Sequence, residues 1–182
     1  MKSIVLAMCI LLATSLAQAQ SPASASIDVG IEQDVLPYLT GGYFLGGWIG
    51  FEPIRIRMIH AKARIPDVVV PEGFTNNQLR AYALVADYFL DRDWLGWWGG
   101  GGIVYWRTSI QSDAQRSTAY LDHYLLNGSF GYAFDLGKRF YVSPWAGMHL
   151  RIGGTKSVIV DGAEYTPRVL NPEASVKIGW WF

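Results

Sequence analysis

The sequence predicts an all-β protein: one closed, antiparallel, eight-stranded transmembrane β-barrel with lipid against its outer wall. Three observations predict it. First, the closing stretch from Asn171 to Phe182 alternates: Ala174, Val176, Ile178, Trp180 and Phe182 are apolar, while Glu173, Ser175, Lys177, Gly179 and Trp181 are mostly polar or small. A period of two means a strand with two unlike faces. An exposed apolar edge strand invites aggregation, and closing the sheet removes the edge. Second, similar segments recur along the chain, joined by connections that alternate between short and long, as barrel strands require. Third, charged residues are only 16% of the chain and aromatics 14%, against about 25% charge in ordinary soluble domains. Beyond the amino-terminal stretch no apolar run reaches the roughly 18 residues of a membrane helix, so strands must do the crossing.

The amino-terminus reads as a secretory leader. Lys2 supplies the charge, Ile4 to Leu12 the apolar run, and Ala17-Gln18-Ala19 a small-x-small cleavage site. The expected division is a leader over residues 1–19 and a barrel over residues 20–182. Cys9 is the single cysteine. It falls in the leader, and Met8 before it is too large for a lipoprotein signal, so no disulfide, thiolate metal site or cysteine nucleophile is expected. Fifteen basic residues balance fifteen acidic ones, which gives no footing for a nucleic-acid partner.

The strands follow in order. Ser24 to Gln33 sets Ile27, Val29 and Ile31 against Asp28, Gly30 and Glu32. Tyr43 to Phe51 sets Leu45, Ile49 and Phe51 against Phe44, Gly46 and Trp48. Ile54 to Arg64 sets Ile54, Ile56 and Met58 against Arg55 and Arg57. Gln78 to Leu90 sets Tyr82, Leu84 and Tyr88 against Ala81, Ala83, Val85 and Asp87. Trp97 to Ile110 is expected to turn Trp98, Val104 and Trp106 outward and Ile103, Tyr105 and Arg107 inward. Ala119 to Asp135 sets Tyr124, Leu126, Phe130 and Phe134 against His123, Asn127 and Ser129. Phe140 to Ile152 sets Val142, Met148 and Leu150 against Tyr141, Ser143, His149 and Arg151. The terminal strand is the eighth.

Glu52-Pro53, Asp91 to Gly96 and Leu136 to Arg139 are the expected short turns. Ile65 to Asn77, Gln111 to Thr118 and Gly153 to Leu170 are the expected long loops, and Ser157 to Val160 either extends the wall or forms a small outer hairpin. Eight strands put both termini and all three short turns at the periplasmic end. Aromatic girdles are expected near that end at Tyr88, Trp98, Phe134, Phe140 and Phe182, and near the outer end at Tyr82, Trp106 and Tyr124.

The terminal alternation ending on Phe182 resembles the last strand of bacterial outer-membrane β-barrels, although Gly179 stands closer to the end than is usual there. The resemblance implies that Val176, Ile178, Trp180 and Phe182 form a signal for the barrel assembly machinery. In architecture the chain is similar to small eight-stranded barrels of the OmpA/OmpX/OmpW type. That likeness implies a structural or surface-interaction protein of the Gram-negative outer membrane, in contact with outer-membrane lipid.

The expected inward face carries Asp28, Glu32, Arg55, Arg57, Asp87, Arg107, His123, His149, Arg151, Glu173 and Lys177. Eight strands enclose a lumen about wide enough for side chains to fill, and opposite charges there must neutralise one another. The reading is a charge-plugged interior; the alternatives are a narrow small-solute pore and a lipid-modifying membrane enzyme. Catalysis would rest on His123 or His149. Ser129 is six residues from His123, and Ser143 six from His149, about 20 Å along a strand and out of reach. No third ligand stands near the two histidines for a metal, and no cofactor is expected. A lipocalin-like barrel would need an apolar inner face, whereas here the charges lie opposite the apolar one. Lys62 and Arg64 share parity with Met58, and Arg80 with Tyr82, so all three are expected on the outer rim, where lipopolysaccharide phosphate is the expected contact. The loops Ile65 to Asn77 and Gly153 to Leu170 would form the outer surface; the sequence assigns them no ligand.

Overall fold

The computed structural model describes residues 27–182, and the expected leader lies outside them, as do the first residues of the first expected strand. The strands are β1 (Asp28–Asp34), β2 (Tyr43–Phe51), β3 (Ile54–Arg64), β4 (Phe74–Phe89), β5 (Gly96–Ser112), β6 (Thr118–Gly137), β7 (Phe140–Gly154) and β10 (Leu170–Trp181). They close into an antiparallel barrel in the order β1-β10-β7-β6-β5-β4-β3-β2. The hairpin β8 (Val158–Val160) and β9 (Ala163–Tyr165) stands apart as a two-stranded sheet, which settles the fate of Ser157 to Val160. One short helix, α1 (Val35–Leu39), follows β1.

The wall is uneven. β6 has 20 residues and β5 has 17, but β1 has only 7 and β2 only 9. The ladder between β5 and β6 continues to Gln111 opposite Thr118, so the expected long loop there shrinks to residues 113–117. On the low side α1 takes the place of strand. Asp34 caps it, its Oδ1 accepting from the Leu36 amide at 3.1 Å, which satisfies one of the free amides of a helix start. β10 pairs with β1 only from Trp181 back to Lys177, and β3 pairs with β2 only as far as Lys62. Above α1, therefore, β10 is bonded only to β7, and Ala63 and Arg64 of β3 only to β4.

Side-chain alternation sets the two faces. Ile27, Val29, Ile31, Leu45, Ile49, Ile56, Met58, Leu84, Leu126, Phe130, Val176 and Ile178 are exposed on the outer wall. A soluble protein rarely leaves so large a continuous apolar surface bare. The inner face holds Glu32, Arg55, Arg57, Asp87, His123, His149 and Lys177, all buried.

On β5 the faces are opposite to the sequence reading. Trp98 and Val104 are buried in the lumen, Trp106 turns inward against His149 with ring centroids 4.9 Å apart, and Trp97 and Ile103 are exposed outside. Arg107 is therefore on the outer wall, 60% exposed and 3.9 Å from Asp122, and is no part of the lumen charges. Trp98 and Trp106 likewise leave the expected girdles. Charge alone favours an inward position, but Arg107 sits near the end of the strand, where an outward cation reaches polar surroundings.

The short-turn end of the lumen is filled by Trp48, Phe89, Trp94, Trp98 and Tyr141, with Leu95, Trp145 and Trp181 against them. Inward glycines make the room. A Cβ at Gly30 would enter the Trp48 ring, at Gly50 that of Trp94, at Gly131 that of Trp98 and at Gly179 that of Tyr141. At the long-loop end Phe74, Ile110, Leu121 and Val160 form a second cluster beneath the outer hairpin.

Candidate functional site

Immediately above the aromatic floor lies a layer of charge drawn from four strands. Arg55 and Arg57 are two apart on β3, so both point inward; Asp87 on β4 is the register partner of Arg55. Arg55 Nη2 lies 2.9 Å from Asp87 Oδ2, and Arg57 Nη2 donates to Asp87 Oδ1 at 2.9 Å. Arg57 Nη1 donates to Glu32 Oε1 at 3.0 Å, and Arg55 Nη1 lies 3.4 Å from Glu32 Oε2. The Tyr141 hydroxyl donates to Glu32 Oε2 at 2.7 Å and accepts from Arg55 Nη1 at 3.0 Å. Two carboxylates thus face two guanidiniums, with hydrogen bonds on both sides, the condition under which buried charge is tolerated. The Arg55 guanidinium also lies 4.9 Å from the Phe89 ring centroid, so the charge layer rests on the aromatic floor.

Asp34 and Lys177 stand beside this layer. Asp34 Oδ1 accepts from the Ser175 hydroxyl at 2.5 Å and Oδ2 from Trp145 Nε1 at 2.8 Å. Lys177 is 2% exposed, and its Nζ sits 3.7 Å from the Trp145 ring centroid. Asp28, half-buried at the short-turn rim, accepts from Trp94 Nε1 at 3.1 Å.

Higher in the lumen the register between β6, β7 and β10 assembles what single strands did not reveal. His149 is opposite Asn127 on one side and Asn171 on the other. Its Nε2 lies 2.9 Å from Glu173 Oε2, and its Nδ1 has no partner among the described residues. Ser129, out of reach of His123 along its own strand, is the diagonal neighbour of His149 across the ladder. Its hydroxyl donates to Asn127 Oδ1 at 3.2 Å and makes no bond to the imidazole, so no nucleophile–base pair is formed. His123 bonds through Nε2 to the Thr108 hydroxyl at 3.3 Å. Arg151 gives its N–H groups to the carbonyls of Thr155 and Pro167, at 2.8 and 3.2 Å. Tyr165 of the outer hairpin accepts from Asn77 Nδ2 at 3.3 Å, and burial pushes its hydroxyl above the ordinary range.

Around these groups small and apolar inward side chains line the lumen. Ala61, Ala63, Ala81, Ala83, Val85 and Val104 line a cavity of about 90 Å³ that adjoins a vestibule of about 410 Å³ under the loops. Among the described residues no cluster of three or more His, Cys, Asp or Glu side chains is placed to hold a metal ion.

On the outer wall two rows run across adjacent strands. His60, Tyr82, Tyr105 and Tyr124 are successive register partners from β3 to β6. Their ring centroids lie 4.4, 6.2 and 5.6 Å apart, and Tyr43 joins through a 2.8 Å bond from its hydroxyl to His60 Nε2. The next outward row toward the loops is Lys62, Arg80, Arg107 and Asp122, again direct partners. Arg64 is a further step up and lies 3.3 Å from Asp67. Near the short turns a second aromatic group gathers Trp97, Tyr132 and Phe134, with Phe140, Trp180 and Phe182. Along β5, Trp97 and Tyr105 are about 26 Å apart at ~3.3 Å per residue, or about 20 Å along the axis at a tilt of ~40°, close to the apolar band of an outer-membrane barrel.

No protein-family model matches the chain, and no curated protein sequence does. Solved structures do. The N-terminal β-barrel domain of Pseudomonas aeruginosa OprF aligns over 87% of this chain and 98% of its own, with a TM-score of 0.54 at 14% identity. Neisserial surface protein A (NspA) aligns over 85% of this chain and 93% of its own, with a TM-score of 0.52 at 10% identity. The chain has the fold of the eight-stranded β-barrels of Gram-negative outer membranes.

Proposed function

We propose that the protein is an integral outer-membrane barrel with a structural or surface-interaction role, closed to solutes and anchored to lipopolysaccharide through its outer cations. The short-turn end is periplasmic, and the loop end faces outward. The row Lys62, Arg80, Arg107 carries the glycolipid contact. Three cations stand side by side in the ladder, and like charges directly opposite one another are destabilising. Neither Lys62 nor Arg80 has an acidic partner within 4.0 Å among the described residues, and Arg107 has only the distant Asp122. A phosphate shared between neighbours removes the repulsion and accepts charge-assisted hydrogen bonds. The aromatic row beneath fixes the depth, since such girdles sit at the membrane interface. Arg64, with Asp67 beside it, is the outermost member of the patch.

The packed aromatic floor and the paired charges directly above it occupy the short-turn half of the lumen, which supports a non-conducting interior. Val176, Ile178 and Trp180, outward on β10, and the exposed Phe182 that follows it supply the face that the assembly machinery reads. No catalytic role is assigned to His123 or His149.

The test compares wild type with the Lys62→Ala/Arg80→Ala/Arg107→Ala variant, measuring thermal unfolding in detergent with and without lipopolysaccharide. The expected result is a stabilisation by lipopolysaccharide that the variant loses. Equal stabilisation of both refutes the patch, and step-like currents in planar bilayers refute the closed lumen.

A further inference from the structure

We infer that the loop-end half of the lumen binds one long-chain carboxylate, with its head on the Lys177 ammonium and its chain along the alanine-lined wall. The inference concerns the inside of the barrel and is independent of the glycolipid contact outside.

Lys177 is the starting point. It is 2% exposed, yet it lines the smaller cavity, and among the described residues its ammonium makes no hydrogen bond and has no carboxylate within 4.0 Å. An ammonium has three N–H donors to satisfy, and a buried charge without an oxygen partner is costly. The Trp145 face at 3.7 Å compensates in part. Every neighbouring acid is already engaged: Glu32 by Arg57 and Tyr141, Asp34 by Ser175 and Trp145. Arg57 and Glu173 line the same cavity, but Arg57 is balanced by Glu32 and Asp87 and Glu173 bonds to His149, so what Lys177 lacks is an oxygen acceptor for its N–H donors and not a counter-charge. The chemistry that fits is an incoming group whose oxygens take several N–H donors at once, and a carboxylate does so.

The rest of the space selects for a chain. Alanine at the inward positions 61, 63, 81 and 83 hollows the wall of β3 and β4 where larger side chains would fill it. The cavity and the vestibule share Ala63, Leu79, Trp106, His149 and Glu173 in their linings, so they adjoin. At about 90 and 410 Å³, they fall together within the ~300–1,000 Å³ of small-molecule sites. The vestibule also reaches Arg64 and Pro172, outward positions on the two strands that flank the unpaired stretch of wall above α1. That stretch gives an acyl chain a lateral way in from the membrane without passing the loops.

The full chain, folded in detergent micelles, is incubated with tritiated palmitate and separated by gel filtration, with micelles alone as the baseline. One equivalent of palmitate is expected to stay with the protein and to be displaced by excess unlabelled palmitate at least tenfold better than by hexadecanol. Lys177→Met should weaken retention at least tenfold. Ala83→Trp, which fills the cavity and leaves the ammonium in place, should abolish it. Each variant is first checked for a heat-dependent shift on an SDS gel; should Lys177→Met fail to fold, Ala83→Trp decides. No retention above micelles by wild type, equal displacement by hexadecanol, or wild-type retention by folded Ala83→Trp overturns the inference.

Discussion

Asp87→Ala is the most exacting test of the charge layer. Asp87 is wholly buried and receives both guanidiniums, Arg55 at 2.9 Å and Arg57 at 2.9 Å. Removing it leaves Glu32 as the one carboxylate facing two arginines in a space closed below by aromatic rings. Breaking a buried pair from one side costs about 3–5 kcal/mol, because a charge is left without its partner. At about 1.4 kcal/mol per tenfold, the folding equilibrium should fall by roughly 10² to 10⁴. The assay is urea unfolding from detergent, followed by tryptophan fluorescence and by the heat-dependent gel shift. Restoring the balance is the decisive arm: Arg57→Met/Asp87→Ala leaves Glu32 against Arg55 alone and should be more stable than Asp87→Ala by itself. A loss below about 1 kcal/mol for the single variant, or simple additivity in the double, would mean that water solvates the layer and that the barrel does not depend on charge balance.

Two further outcomes follow from the wall. Leu84→Arg and Ile103→Arg place a cation on the lipid face and should each cost about 2–4 kcal/mol, read as loss of the folded band after refolding into lipid vesicles. Normal refolding of Ile103→Arg would restore the opposite face assignment for β5. Within the run Gly99 to Gly102, a Cβ at Gly100 meets the Asp87 carboxylate and the Ala86 carbonyl, whereas Gly99 has its nearest atom 4.0 Å away. Gly100→Ala should therefore lower the urea midpoint clearly, and Gly99→Ala should leave it within experimental scatter.

Strand positions were legible because the alternation is strong. On β4, β6 and β7, large outward residues such as Leu84, Phe130 and Met148 recur at one parity, so one parity choice carries along the strand. On β5 the alternation is interrupted by Gly99 to Gly102, which have no side chains to hold parity, and the single charge at Arg107 decided the reading wrongly. The capping signal for α1 was present in Asp34, with Pro37 in the first turn, but five residues give too little periodicity to show a helix. The lumen site needs register. His149, Glu173, Asn127 and Ser129 come from three strands, and distances along one strand say nothing about neighbours across a ladder. The cavity itself is written in four alanines, whose smallness becomes space only after the barrel is closed.

The charge layer also bears on the order in which the chain assembles. Glu32 comes from β1, Arg55 and Arg57 from β3, Asp87 from β4, Tyr141 from β7 and Lys177 from β10. β1 and β10 meet only at the final seam, so the seam brings the earliest described strand and the last one together. A half-built sheet can pair Asp87 with the arginines across β3 and β4, but the bond from Tyr141 to Glu32 spans the seam side of the barrel and forms only on closure. Partly zipped intermediates are thereby left with unsatisfied polar groups facing inward, and the last step gains what the earlier ones lack. Closure should consequently be abrupt, with the plug and the seam appearing in the same kinetic phase.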